Sequence, residues 1–344
     1  MSGPGWSCHE PMRLQEFAMI ELPKWRVGRS IQGMSAILLP IDDGGKIDWD
    51  AWTKHLQRTW DCGLTPAVNM DTGYVQLLQP SQRSEVLRRA EELAEGRPFV
   101  AGVFVDDQAG DRLNLSLVAQ GMAQVRESGG LPILFPSHGW GGLTESQWLH
   151  SHRQLGEDQG RFLAFELGKM FVPYGRVLSL GGFEELLGNP QCVGAKHSSL
   201  DRSSEWQRLS SRDRLRPEFR LLTGNDLAID MVFYGSDYLL GLSTMAPDLF
   251  ALRDRWWQQE DGRAIALNDW LQYLGSFTFR PPVPAYRHSA AMFLHLRGWA
   301  ATCEPYPGAP RRPDSDREVL EKIWMSLRAF LEDPAPGEQP LAVR

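Results

Sequence analysis

The residue with the clearest chemical potential in this sequence is Lys196, which ends the short apolar run that begins at Cys192. A strand of this composition is expected to be buried, and burial favours the neutral form of an amine. A neutral lysine is a nucleophile toward carbonyl carbon atoms, so Lys196 could form an imine. The alternative is an ordinary lysine at a strand end that makes a salt bridge or points into solvent.

Eight apolar runs of strand length recur along the chain, most of them roughly thirty residues apart, which is the length of one βα unit. None alternates cleanly between polar and apolar residues, and continuous apolar runs are typical of strands buried on both faces of a parallel sheet. The runs begin near Met34, Thr65, Val100, Leu131, Phe162, Cys192, Phe219 and Tyr238. Lys196 therefore ends the sixth predicted strand.

Helical patterns lie between these runs. Asp48 is placed to cap the first helix, Pro80 stands at the first position of the second, and the third pattern starts at Leu113. Thr144 and Gln147 form a capping box at the start of a later helix. A strand and a helix repeated eight times predict a (β/α)8 TIM barrel, with a doubly wound sheet as the alternative.

The chain after the eighth run turns helical, which suggests an appendage to the barrel. We interpret residues 1–29 as an N-terminal extension, 30–260 as the barrel, 261–331 as a C-terminal helical region and 332–344 as a loose tail. The candidate helices in this part of the chain begin near Leu249, Ala264, Pro284 and Ser315.

Charge and composition limit the partners. With 36 Lys and Arg against 43 Asp and Glu, the net charge is −7 and there is no basic stripe, so nucleic acid and anionic membranes are disfavoured. No apolar run approaches the length of a membrane span, and the N-terminus lacks the apolar core of a signal peptide, so we expect a cytoplasmic protein. The four widely spaced cysteines form no CxxC pair, and the sequence has no P-loop and no GxGxxG after a strand, so we predict no metal and no cofactor.

Chemistry in a (β/α)8 barrel sits at the C-terminal ends of the strands and in the loops that follow them. This rule places Lys196 at the catalytic face and selects further candidate residues from the other loops. These are Asp71, Thr72 and Gly73 after the second strand, His138 after the fourth, Tyr174 and Arg176 after the fifth, and Ser243 after the eighth.

The order of these segments resembles the dihydrodipicolinate synthase and N-acetylneuraminate lyase superfamily of class I, Schiff-base aldolases. The loop Met70 to Tyr74 is similar to the family's GTTGE segment, Val193 to Lys196 to its Schiff-base lysine segment, and Gly224 to Asp226 to its glycine-acid turn. The first predicted strand, which starts at Gly33, is also similar to the family's opening strand. The resemblance covers about Gly33 to Leu331 and identifies the chain as a divergent member.

The resemblance implies a lyase of aldolase or dehydratase type. Lys196 would form an imine with a 2-oxo acid such as pyruvate or a sugar acid, and the protonated imine would serve as an electron sink. Asp71, Thr72 and Gly73 would line the carboxylate site, and a tyrosine after strand five would relay protons. The family also implies a homo-oligomer, a dimer or a tetramer.

The sequence departs from the family pattern at several positions. Asp71 replaces the first threonine of the GTTGE segment, and a carboxylate there would repel a substrate carboxylate unless it is protonated or turned aside. Phe165 or Phe171 occupies the place of the relay tyrosine, so Tyr174 is the candidate to replace it. His138 stands where the synthase branch has a tyrosine. Arg176 would pair with a second substrate carboxylate, and the missing tyrosines favour a sugar-acid aldolase or dehydratase over dihydrodipicolinate synthesis.

Two alternatives remain open at the level of sequence. The departures at Asp71 and Phe165 or Phe171 would also suit a protein with the aldolase fold but degraded chemistry, acting in ligand binding or assembly. Asp106, Asp107 and Glu166 could instead hold a divalent metal in an unrelated barrel enzyme.

Overall fold

A computed structural model describes residues 23–332 of the protein, and these residues form a closed barrel of eight parallel strands. Each strand pairs with its neighbours in chain order, and β1 closes the barrel against β8. All eight predicted strands are confirmed, and so is the (β/α)8 fold. The strands are β1 Gly33–Ala36, β2 Thr65–Val68, β3 Val100–Val103, β4 Leu131–Leu134, β5 Phe162–Leu167, β6 Cys192–Ser198, β7 Arg220–Thr223 and β8 Asp237–Leu240.

The helices around the barrel begin where local sequence signals place them. Asp48 accepts a hydrogen bond from the Ala51 N–H, Pro80 is the first residue of its helix, and Thr144 and Gln147 form the expected capping box. The outer helices are α1 Trp49–Asp61, α2 Pro80–Ala94, α3 Leu115–Glu127, α4 His138–Gly141, α5 Glu145–Gln159, α6 Leu180–Leu187, α7 Arg202–Leu215, α8 Met231–Tyr234 and α9 Pro247–Gln258.

Two of the outer helices begin two residues away from the predicted position. The third helix begins at Leu115 rather than Leu113, because the side chain of Asn114 caps it by accepting from the Leu117 N–H. The ninth begins at Pro247, two residues before the predicted Leu249, because proline is well suited to the first helical position.

Apolar side chains form two cores. One lies inside the barrel and contains Met34, Ile133, Phe165, Leu222 and Leu239, while a larger one fills the layer between the strands and the helices. The side chains of the inner core fill the interior of the barrel, as is usual for this fold, so the interior is packed and is not a pore. Any polar group that reaches the C-terminal end of the barrel interior is therefore partly removed from water.

The last part of the described chain is helical, as predicted, with α10 Arg263–Thr278, α11 Tyr286–Leu296 and α12 Asp316–Glu332. Helix α11 packs against the turn Leu242–Met245 that follows β8, so it lies beside the C-terminal ends of the strands. This packing lets residues of the C-terminal region contribute to the site at that face.

The opposite end of the barrel is closed by the segment that precedes β1. Arg29 pairs with Asp237 at the start of β8 at 2.6 Å, and the ring of Trp25 packs against Phe233 and Trp257. Most of the predicted N-terminal extension and nearly all of the predicted tail lie outside the described residues. Within residues 23–332, no helix has both the length and the apolar character needed to cross a bilayer.

Candidate active site

Lys196 points into the barrel from the C-terminal part of β6, where it pairs with Phe165 of β5 and Leu222 of β7. Its side chain is buried, and Nζ lies 4.5 Å from the centroid of the Phe165 ring. Among residues 23–332 the amine makes no hydrogen bond and no ion pair. Burial lowers the pKa of Lys196, and the nearby carboxylates of Asp71 and Asp226 only partly oppose this effect.

The wall beside the amine is aromatic. The Phe165 ring makes an edge contact with Phe135 of the neighbouring loop at 5.4 Å between centroids, and Phe135 makes another with Phe104 at 5.8 Å. An apolar wall of this kind provides little solvation for an ammonium beyond the face of one ring. It therefore favours the neutral, nucleophilic form of Lys196.

Gly224, directly after β7, gives the lysine side chain its space. A Cβ atom at this position would lie 2.7 Å from Lys196 Cε and would overlap Ser198 Oγ. The Gly224 N–H also donates to the carbonyl of His197 at 2.8 Å, which holds the turn against β6. The glycine is thus required by close packing against the candidate nucleophile.

We expect Gly224→Ala to lower the rate of imine formation at Lys196 by about 100-fold, because the new methyl group displaces the amine from its position. The measurement is the rate of borohydride trapping with a 2-oxo acid. The matched control is Gly262→Ala, since a Cβ there meets nothing within 4 Å. Unchanged trapping in Gly224→Ala would show that this contact does not position the lysine.

The loop after β2 forms a short 3₁₀ turn, Asp71–Gly73, at the mouth of the barrel. Thr72 is fully buried, and the Gly73 N–H donates to the carbonyl of Met70 at 3.0 Å. A Cβ on Gly73 would lie 2.9 Å from the carbonyl oxygen of Ile37, so a side chain does not fit there. The predicted carboxylate loop is therefore tightly built, and the Gly73 N–H already has an acceptor.

Tyr286, the first residue of α11, reaches this loop. Its hydroxyl donates to Asp71 Oδ2 at 2.7 Å and lies 2.8 Å from Thr72 Oγ1. The guanidinium of Arg287 donates to the carbonyl of Asp71 at 3.2 Å. Burial, followed by the charge of Asp71, raises the pKa of Tyr286 well above its ordinary value, so the phenol stays protonated at neutral pH.

Asp226, in the turn after β7, is a second acid near the amine. Its Oδ1 accepts from the Leu242 N–H at 2.8 Å. Burial raises the pKa of Asp226 to about 7, since the hydrogen bond from Leu242 and the charge of Lys196 offset the desolvation only in part. At neutral pH this group can therefore act as either an acid or a base.

No profile of a known protein family matches the sequence, and no curated protein matches it significantly. Solved structures do match. YagE, a prophage protein of the dihydrodipicolinic acid synthase family from E. coli K12 in complex with pyruvate, has a TM-score of 0.74 at 14% identity, covering 86% of this chain and 98% of that one. A putative dihydrodipicolinate synthetase from Pseudomonas aeruginosa has a TM-score of 0.73 at 18% identity, covering 87% and 100%.

A third structure, chloride-inhibited dihydrodipicolinate synthase from Acinetobacter baumannii complexed with pyruvate, has a TM-score of 0.70 at 18% identity, covering 87% of this chain and 99% of that one. This chain has the fold of the dihydrodipicolinate synthase family. The similarity spans nearly the whole length of these proteins. The fold implied by the sequence resemblance is thereby confirmed.

The strand pairing of this dihydrodipicolinate synthase fold decides which phenylalanine faces the lysine. Phe165 lies directly opposite Lys196 on β5, whereas Phe171 belongs to the loop beyond the strand. The residue beside the amine on β5 therefore has no hydroxyl. A proton-transfer group must come from another element if the site is catalytic.

His138, Tyr174 and Arg176 lie together beside the strand ends of β4 and β5. The rings of His138 and Tyr174 are 4.3 Å apart between centroids, and Arg176 donates to the carbonyl of Leu143. Tyr174 and Arg176 line a small cavity that extends outward from Phe165 toward α5. Burial, followed by the charge of Asp107, raises the pKa of the Tyr174 phenol.

Ser243 is fully buried in the turn after β8. Its Oγ lies 2.9 Å from the carbonyl oxygen of Leu240 and 3.0 Å from Ser35 Oγ. Both contacts are internal to the protein, so they account for the hydroxyl as part of the packing of this turn against β1.

The three residues of the alternative metal hypothesis do not form a common site, and Asp106 is a largely exposed side chain 4.0 Å from a guanidinium nitrogen of Arg83. Asp107 accepts from Ser137 Oγ and from the N–H groups of His138 and Gly139, which fixes the start of α4. Glu166 faces away from the barrel interior, and no group of three possible ligands occurs within residues 23–332. The acidic side chains are therefore not arranged as a metal centre in the described part of the chain.

The sequence-based prediction did not include Tyr286, Arg287 or Asp226 among the site residues. Asp226 carried a signal, because it belongs to the glycine-acid turn that resembles the family. For Tyr286 the sequence gives no such signal. A helical pattern does not indicate that the first residue of the helix contacts a loop more than two hundred positions earlier in the chain.

Proposed function

We propose that this protein is a Schiff-base lyase of aldolase or dehydratase type, a divergent member of the dihydrodipicolinate synthase and N-acetylneuraminate lyase superfamily. The observation that carries the proposal is the Lys196 amine, which is buried and unpaired within the described residues at the catalytic end of a barrel of this fold. Its substrate would be a 2-oxo acid or a sugar acid.

In the first step, Lys196 Nζ attacks the carbonyl carbon of the 2-oxo acid. The oxygen leaves as water, and the protonated imine that forms draws electrons from the neighbouring carbon. A bond from that carbon to hydrogen or to the next carbon then breaks at a lower barrier. The Phe165 face, which can accommodate the Lys196 cation, can also accommodate the iminium charge.

The substrate carboxylate would lie at the loop that contains Thr72 and Gly73. Because the Gly73 N–H is directed to Met70, the main-chain N–H of Thr72 is the better donor from this turn. Asp71 does not point freely at a bound carboxylate, because its Oδ2 accepts from Tyr286. His138, Tyr174 and Arg176 would contact the part of the substrate farther from the reacting carbon.

The decisive experiment is reductive trapping. The protein is incubated with pyruvate, 2-oxobutyrate or 2-oxoglutarate and sodium borohydride, and the mass of each peptide is then measured. We expect the mass of the reduced adduct on the peptide that contains Lys196. If every 2-oxo acid leaves that peptide unmodified, the imine mechanism is wrong, and a binding or assembly role for a degraded aldolase fold becomes the better account.

The pH dependence of trapping tests the state of the amine. Burial lowers the Lys196 pKa below its ordinary value of 10.5, so the neutral fraction becomes large at a lower pH than for a free lysine. We expect the trapping rate with cyanoborohydride to reach half of its maximum below pH 10.5, with an acetylated lysine amide as the reference. A midpoint at or above that of the reference would contradict a desolvated amine.

A further inference from the structure

Three oxygen-bearing side chains form a continuous hydrogen-bonded chain at the mouth of the barrel. Tyr286 Oη lies 2.8 Å from Thr72 Oγ1 and 2.7 Å from Asp71 Oδ2. Thr72 and Tyr286 are almost completely buried, whereas Asp71 is only partly buried. The chain joins the loop after β2 to the first residue of α11, two elements that are distant in sequence.

The protons in this chain have a defined direction. An ionised carboxylate only accepts hydrogen bonds, so Tyr286 must donate its single proton to Asp71. The Tyr286 oxygen is then an acceptor toward Thr72, which must donate. A proton that reaches the Tyr286 oxygen from the site can therefore be passed to Asp71 without leaving charge on the phenol.

The surroundings hold Tyr286 in this place. Its ring stacks on Phe279 with centroids 4.3 Å apart and planes 17° from parallel. Gly241, directly after β8, leaves the necessary room, because a Cβ there would lie 3.1 Å from Thr72 Oγ1 and 3.2 Å from the Tyr286 oxygen. Backbone and ring packing both keep the phenol aimed at the loop, independently of its hydroxyl.

We propose that Asp71 is the base for enamine formation in this site and that Tyr286, from the C-terminal helical region, carries the proton to it. This inference rests on the proposed imine at Lys196. In the step, Tyr286 Oη takes a proton from C3 of the imine while its own proton passes to Asp71. The C3–H electron pair becomes the C=C bond of the enamine, and the C=N π pair returns to nitrogen.

The proposal accounts for two features together. The residue beside the lysine on β5 is Phe165, which has no hydroxyl, and the loop after β2 carries the carboxylate of Asp71. With Tyr286, the side of the barrel mouth formed by this loop and α11 therefore provides both a phenol and a base.

The test is the exchange of the methyl hydrogens of pyruvate with D2O, followed by proton NMR, which needs no second substrate. If another 2-oxo acid traps better, its C3 hydrogens are followed instead. We expect Tyr286→Phe and Asp71→Asn each to slow exchange by about 100-fold or more, because general acid–base groups contribute at least that much. Borohydride trapping at saturating 2-oxo acid is measured for each variant as well, and we expect the loss in exchange to be much larger than any loss in trapping, because Lys196 is intact.

A deuterium isotope effect shows which step a variant slows. The measurement is the rate at which trideuterated pyruvate loses its label into H2O. The primary isotope effect on this rate should increase in Tyr286→Phe, because proton removal becomes more strongly rate-limiting. A variant that slows substrate binding or imine formation instead would leave this ratio unaltered or lower it. Tyr306→Phe is the matched control, because it removes a phenol that bonds Gln82 at 3.0 Å outside the proposed relay.

The outcomes are distinguishable. If wild type is not trapped by any 2-oxo acid, the proposed function fails and the relay with it. If trapping is normal and neither Tyr286→Phe nor Asp71→Asn slows exchange beyond Tyr306→Phe, the relay alone is wrong. If Tyr174→Phe slows exchange and Tyr286→Phe does not, the proton-transfer role belongs to the loop after β5, which also overturns the proposal.

Discussion

Replacing Lys196 by arginine should abolish borohydride trapping with any 2-oxo acid and lower turnover by at least about 1000-fold. Arginine keeps a cation that can stack on Phe165, so the local packing is largely preserved. Its guanidinium does not lose a proton in proteins, however, and therefore offers no neutral nitrogen nucleophile. The variant thus separates the charge of the residue from its nucleophilicity.

The control for this prediction restores the amine chemically. In Lys196→Cys, alkylation with 2-bromoethylamine produces a side chain that ends in an amine at nearly the same length. We expect this treatment to recover part of the trapping and turnover. Wild type must be alkylated in parallel, since the chain has cysteines of its own. Trapping on a different peptide in Lys196→Arg would mean that another lysine is the nucleophile.

The barrel could be predicted from sequence because each strand carries its own signal. Runs such as Val100–Val103 are apolar without alternation, and the spacing between runs leaves room for one helix. Caps such as Asp48 then locate the helix starts within one or two residues. These signals are local, so they can be recognised even though no family profile matches the chain.

Lys196 could be located for a related reason. It stands in the C-terminal part of a buried strand, and the barrel topology alone brings that end of the strand to the face where chemistry occurs in such barrels. The choice between Phe165 and Phe171 needed the register of β5 against β6, which sequence spacing does not determine. Tyr286 was missed because its contact with Asp71 spans 215 positions and depends on how α11 packs against the barrel.

Glu166 shows how misleading an isolated acidic residue can be. Its sequence position suggested a metal ligand, yet it lies in a buried network on the outer side of the strands. Arg208 donates to both of its carboxylate oxygens, at 3.0 and 2.8 Å, and the His197 ring contacts it at 2.9 Å. Burial alone would raise the Glu166 pKa, but His197 and Arg208 overcome that effect and lower it to about 2.

This network joins the two strands that define the site. Glu166 follows Phe165 on β5, and His197 follows Lys196 on β6, so their side chains point outward while the site residues point inward. Arg208 of α7 also donates to the carbonyl of Leu178 at 2.6 Å. The outer network therefore fixes the pairing that places the amine over the Phe165 ring.

Arg208→Met should destabilise the protein by about 3–5 kcal/mol, because it leaves the buried Glu166 charge without the guanidinium that donates to both of its oxygens. The expected fall in melting temperature is roughly 5–10 °C, measured by calorimetry or circular dichroism at pH 7. Because the folded-state pKa of Glu166 lies below its unfolded value of 4.5, its stabilising contribution is present above pH 4.5. It is lost as the pH falls toward 2, so the difference between wild type and Glu166→Gln should shrink over that range.

The double variant Glu166→Gln with Arg208→Met decides whether charge is the cause. A glutamine oxygen can still accept from the Leu178 N–H, which donates to Glu166 Oε1 at 2.8 Å, and its amide can donate to His197 in the other tautomer. The double variant should therefore be more stable than Arg208→Met alone, although it carries one more substitution. If it is less stable, the unpaired Glu166 charge is not what destabilises Arg208→Met, and the charge explanation is wrong.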